Sequence, residues 1–135
     1  VSIQLSVAVR NARLDAIETT IGTSAILEIR SGAPPATCAT ADSGTLLASM
    51  SLPSDWLAAA SSGAKAKSGT WQDLSADAAG TAGHFRVKDS GGTACGIQGT
   101  VTATGGGGDL TLDNAVLASG QAVSISSFTL TDGNA

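Results

Sequence analysis

Apolar residues recur at roughly helical spacing at the start of the chain, where Ile3, Val7, Leu14, Ile17 and Ile21 share one face. Ser6 stands where an N-cap belongs, and Gly22 where a helix can end on a positive φ. The spacing predicts a helix from about Val7 to Thr20, with Arg10, Arg13, Asp15 and Glu18 mostly off the apolar stripe. From Ser24 the period changes to two. Ala25 to Arg30 reads as a strand with Ala25, Leu27 and Ile29 on one face, and Pro34 and Pro35 then break it. Thr45 to Leu52 reads as a second strand, with Leu46, Ala48, Met50 and Leu52 alternating against Leu47, Ser49 and Ser51. Pro53 to Ser62 has two readings: a helical turn or two capped by Ser54, or an irregular loop. Lys65 to Trp71 follows as a strand. Thr81 to Val101 reads as strand, tight turn and returning strand. Leu110 to Leu112 and Ala122 to Thr131 complete the set.

Short strands at this spacing, with turn residues between them, predict a mainly β fold: an antiparallel β-sandwich or jelly-roll-like body with one N-terminal α-helix. Residues 1–23 form the arm and helix and 24–135 the β-sandwich body, in one domain overall. A chain of 135 residues suits a single core. With an aromatic share of 3%, that core must be built mostly from aliphatic and small side chains.

Charge narrows the classes of partner. The formal net charge is −4 and the basic residues are scattered, so no stripe of Lys and Arg is expected to track phosphates, and no nucleic-acid partner is expected. No window has the unbroken apolar length of a membrane span, and the N-terminus lacks the pattern of a signal peptide. Val1 is expected to follow a removed initiator Met.

Candidate chemistry is sparse. His84 is the single histidine and falls inside a predicted strand, without a visible reacting partner. Asp73, Asp77 and Asp89 lie in turn-rich segments where Asp commonly bonds its own backbone. Asp109, Asp113 and Asn114 lack the ligand spacing of a calcium loop. Gly105 to Gly108 is followed by Asp109 and an apolar strand rather than by the Lys and Ser/Thr of a phosphate loop. No catalytic set, cofactor or metal is therefore expected. Cys38 and Cys95 could form one bridge closing a long loop, or remain two thiols in a reducing compartment. Trp56 and Trp71, scarce large aromatics near loops, either plug the core or anchor a contact with a partner.

The run Val7-Ala8-Val9-Arg10-Asn11-Ala12-Arg13-Leu14-Asp15-Ala16-Ile17 resembles the opening of small structural proteins of tailed bacteriophages and prophages. The segments 75–82, 86–92 and 118–127 extend the resemblance over most of the chain. It implies a virion protein made in the bacterial host cytoplasm. Among small β-rich phage proteins the commonest role is capsid decoration, or cement, on the outside of the head. The implied partners are the major capsid protein and further copies of the chain. On this reading Ile3, Val7, Leu14, Ile17 and Ile21, with Trp56 and Trp71, are the candidate contact residues. A tail, collar or fibre-associated role is the first alternative. A glycan-binding β-sandwich, which would need exposed aromatics, is the second.

Overall fold

The computed structural model describes residues 3–133. Val1 and Ser2 of the predicted arm, and Asn134 and Ala135 of the predicted body, lie outside the described residues. Helix α1 spans Val7–Ile21, within one residue of the predicted range. Ser6 caps it, its hydroxyl accepting the Val9 amide at 3.2 Å. Gly22 ends it with φ 98°, and its own amide donates back to the Glu18 carbonyl.

Ten strands follow: β1 (Ile26–Ser31), β2 (Leu46–Ser51), β3 (Ala64–Ala66), β4 (Trp71–Asp73), β5 (Gly80–Lys88), β6 (Cys95–Ala103), β7 (Leu110–Leu112), β8 (Val116–Leu117), β9 (Val123–Ile125) and β10 (Thr129–Thr131). The architecture is mainly β and sandwich-like. The main sheet has the order β2-β1-β5-β6-β7, with β8 paired to the start of β5, and two small sheets, β3 with β10 and β4 with β9, complete the body. The layers are unequal, unlike the two matched sheets of a jelly roll.

Several boundaries differ from the sequence reading, each for a local reason. The expected strand Lys65 to Trp71 is split by Gly69, whose φ is 72°. Pro53 to Ser62 is not helical. It leads into a two-residue turn at Ser62 and Gly63, both with positive φ, which closes a reciprocal Ser61–Ala64 amide-to-carbonyl pair. The predicted tight turn between β5 and β6 is a longer loop, organised by the Asp89 carboxylate, which accepts the Thr93 amide at 2.8 Å. The pairing of β6 with β7 is parallel, whereas the alternation suggested an antiparallel body. Gly105 to Gly108 makes this possible by returning the chain within a few residues. A Cβ at Gly106 or Gly108 would meet Thr102 atoms at 2.8 Å.

Large aromatics form one row through the core. Phe85 of β5 meets Phe128 edge-on at 5.7 Å, Phe128 lies 5.6 Å from Trp71, and Trp71 lies 6.1 Å from Trp56. With two Trp, two Phe and no Tyr in the chain, this row takes every large aromatic and joins the main sheet to the small ones. No helix among the described residues is long and apolar enough to cross a membrane.

Candidate functional site

Helix α1 is attached to the body by its polar side chains. Asn11 Oδ1 accepts the Gly63 amide at 2.9 Å, Asp15 Oδ1 accepts the Ala60 amide at 3.0 Å, and Glu18 Oε1 accepts the Leu57 amide at 3.2 Å. Their spacing of four and three residues puts these three groups on one side of the helix. Beneath them lies Lys65, only 3% exposed, with its ammonium 2.7 Å from Asp15, 3.1 Å from Glu18 and 2.9 Å from the Ala58 carbonyl. Burial pulls the Lys65 ammonium down, but its two carboxylates outweigh that and leave it raised. The hydrogen bond from Lys65, above all, holds the Asp15 carboxyl low. Arg10 and Arg13 add contacts to Asp132.

This arrangement corrects part of the expectation. Asp15 and Glu18, off the apolar stripe as expected, bond to the body, Asp15 while still half-exposed. Of the apolar stripe, Leu14 is buried in the chain's own domain and leaves the set of candidate contact residues. Ile17 and Ile21 are half-buried. They line a surface hollow of about 280 Å³ together with Arg13, Ala16, Thr20 and Gly96. Ile3 is 85% exposed and Val7 and Val9 are each 46% exposed. The apolar side chains most open to solvent at this end are Ile3, just before the helix, and Val7 and Val9, on different sides of its first turns, with the Ile17–Ile21 hollow farther along. Val9 was not among the predicted contact residues, since it lies off the Leu14–Ile21 stripe.

Trp56 and Trp71 are core residues, 0% and 1% exposed, and are withdrawn as contact anchors. Their indole N–H groups are used internally, Trp56 donating to the Gly22 carbonyl at 2.9 Å and Trp71 to the Ser68 carbonyl at 3.1 Å. The core-plug reading of these residues is the one the packing bears out.

A second charged group lies on the opposite side of the main sheet. Glu28 and Arg30 of β1 and His84, Arg86 and Lys88 of β5 project from neighbouring strands, with Glu28 opposite Arg86. Residues 32–45 cover them. Asp42 from this cover meets Arg86 and Lys88, each at 2.5 Å, and Arg30 at 3.2 Å, while Glu28 meets Arg30 and Lys88. A hydrogen bond from Lys88, above all, keeps the Asp42 carboxyl low; its partial burial opposes this. His84 is fully buried, with Nδ1 2.9 Å from the Gly32 carbonyl.

The same cover brings the cysteines together. Cys38 and Cys95 are both thiols in this structure. They line one hollow of about 330 Å³ with Asp42, Arg86, Lys88 and Thr93. Burial first, and then the neighbouring Cys38 thiol, push the Cys95 thiol up to about 11, against the pull of Arg86.

Of the carboxylates singled out in the turns, Asp73, Asp89 and Asp109 accept backbone amides. Asp73 accepts the Ser75 and Ser49 amides, Asp109 accepts the Thr100 amide, and Asn114 accepts the Val116 amide. Among the described residues, no three His, Cys, Asp or Glu side chains converge as metal ligands would. The fold and surface define a small mainly β domain with a helix fastened by its polar side chains and with apolar side chains exposed at the helix start. Comparison of the chain with known protein families, with curated proteins and with solved structures finds no match.

Proposed function

We propose that this chain is a non-enzymatic virion structural protein that decorates and stabilises the outside of a phage head. Its partners are the major capsid protein and further copies of itself. The observation that carries the binding part is the start of the helix: Asn11, Asp15 and Glu18 fasten α1 to the body, while Val7 and Val9 of its first turn, and Ile3 just before it, stay exposed. Apolar side chains on a pre-organised helix bind a complementary groove with little further ordering cost. The virion assignment is drawn from the resemblance of the 7–17 run and the later segments to phage structural proteins. Many weak copies acting on one shell would make even a modest contact effective. The glycan-binding alternative loses its main support, since the tryptophans it required are interior.

Electron microscopy of the particle tests the assignment directly. Density for the domain on the shell exterior supports it, and density confined to the tail or neck overturns the head assignment. A binding assay tests the surface. Val7→Ser with Val9→Ser should leave the fold within about 0.5 kcal/mol of wild type and reduce co-sedimentation with heads at least about tenfold, a loss of ~1.4 kcal/mol. Unchanged attachment would remove these two side chains from the contact.

A further inference from the structure

We propose that Cys38 and Cys95 are a thiol pair that exchanges with a small-molecule disulfide to form an intramolecular bridge, fastening the 32–45 cover to the start of β6. Three observations carry this. The side chains, far apart in sequence, lie next to each other and line the same hollow. Arg86 ties both positions to one place: its Nη2 donates to the Cys38 carbonyl at 2.8 Å, and its guanidinium also interacts with the Cys95 thiol. The chain holds two cysteines, so one intramolecular pairing exists and no competing connectivity can form.

The backbone around both positions suits the exchange; the raised Cys95 thiol keeps thiolate scarce on that sulfur at neutral pH and makes the exchange slow. Cys38 lies in irregular chain, between the exposed residues Thr37 and Ala39, and Cys95 opens β6 next to the register shift at Val87 and Lys88. Irregular chain on one side and an irregular strand start on the other can absorb the small movement a bond needs. In the exchange, the thiolate of one cysteine attacks a sulfur of the small disulfide, forming a mixed disulfide and releasing one small thiolate. The second cysteine loses its proton to solvent and attacks the protein sulfur of that mixed disulfide, releasing the second small thiolate. The protein is oxidised by two electrons, and the small disulfide is reduced to two thiols. In a reducing cytoplasm the pair stays open; after release into an oxidising medium it closes.

The test uses the isolated full-length chain and oxidised glutathione, read by intact mass and non-reducing peptide mapping. Wild type is expected to remain monomeric, to lose the mass of two hydrogens and to yield one linked peptide containing Cys38 and Cys95. Cys38→Ser and Cys95→Ser are each expected to retain a single glutathione, because the second thiol needed to expel it is gone. Closing the bridge should raise the melting temperature of wild type by about 10 °C, reversed by reductant. A stable glutathione adduct on wild type, or a cross-linked dimer in place of the internal bridge, overturns the proposal. The wild-type mass decides the matter even if a serine variant fails to fold. Because the readout is chemical and uses no capsid, its failure would leave the virion assignment standing, and the reverse holds too.

Discussion

Replacing Asp42 by Ala should expose how much the polar side of the main sheet depends on one carboxylate. Asp42 receives Arg86, Lys88 and Arg30, and Glu28 is the other carboxylate of the group. With three cations and two anions, the group carries +1; the substitution leaves +2 around Arg86 and Lys88, which are 2% and 5% exposed. Removing one partner from a fully buried pair costs about 3–5 kcal/mol. The Asp42 side chain is 31% exposed, so water partly screens the vacated position. We therefore expect a loss of about 2–3 kcal/mol. In a chain of this length each kcal/mol moves the melting temperature by about 3–5 °C, giving a fall of roughly 6–15 °C. Thermal unfolding and urea titration at neutral pH measure both quantities. Asp42→Asn, which keeps an acceptor oxygen but not the charge, should fall between the two. A shift below about 2 °C for Asp42→Ala would refute the argument, since these cations would then be solvated well enough without it.

The same residue sets a pH dependence. Because the native carboxyl is held low by Lys88, Asp42 contributes stability that is fully present above the unfolded value near ~3.9 and lost as pH falls through the native value. Wild type should lose stability on acidification below about pH 4, and Asp42→Ala should lose less over the same window. Identical slopes would mean that Asp42 is not the group responsible.

Lys65→Met should cost about 1–2 kcal/mol in urea titrations, because Asp15 and Glu18 are left without their cation, the half-exposed Asp15 being partly screened by water; hydrogen exchange should show the α1 amides losing protection first. Gly63→Ala should cost about 1–2 kcal/mol: its φ is 75°, and the new Cβ would lie 2.5 Å from Arg10 Nη1. Trp71→Ala should cost about 3–5 kcal/mol, because it opens the middle of the aromatic row; a loss below 1 kcal/mol would contradict its core assignment.

What could be read from the sequence was whatever local patterning controls. The cap at Ser6, the stop at Gly22, the Ala25-Leu27-Ile29 face and the hairpin between β5 and β6 all follow from spacing and turn residues within reach of each other. What could not be read depends on long-range cover. Alternation along β5 sets His84, Arg86 and Lys88 opposite the side of Phe85 and Val87, which normally means solvent. Residues 32–45 fold over that face and bury it. Likewise, nothing near Asp15 or Glu18 in sequence announces Lys65, so the apolar stripe alone could not show that polar side chains fasten the helix to the body or that Leu14 is buried there. Trp56 and Trp71 were legible only as alternatives, since scarcity of aromatics marks importance without distinguishing core from surface.

The distribution of cations links fold to function. Six of the seven Lys and Arg residues belong to the two fastening groups: Arg10, Arg13 and Lys65 hold the helix, while Arg30, Arg86 and Lys88 hold the 32–45 cover. The seventh, Lys67, donates to the Gly69 carbonyl and lies over Trp71. The apolar row fixes the centre and ion pairs fix the periphery, and this consumes the positive charge internally. Carboxylates such as Asp55, Asp77 and Asp113 remain exposed and carry the net charge of −4 outward. A phosphate polymer would meet repulsion across such a surface. Exposed apolar side chains on a domain of net negative charge instead suit a protein groove, and Val7 and Val9, on a helix whose charges are already satisfied, with Ile3 just ahead of it, can enter one without disturbing what keeps the helix in place.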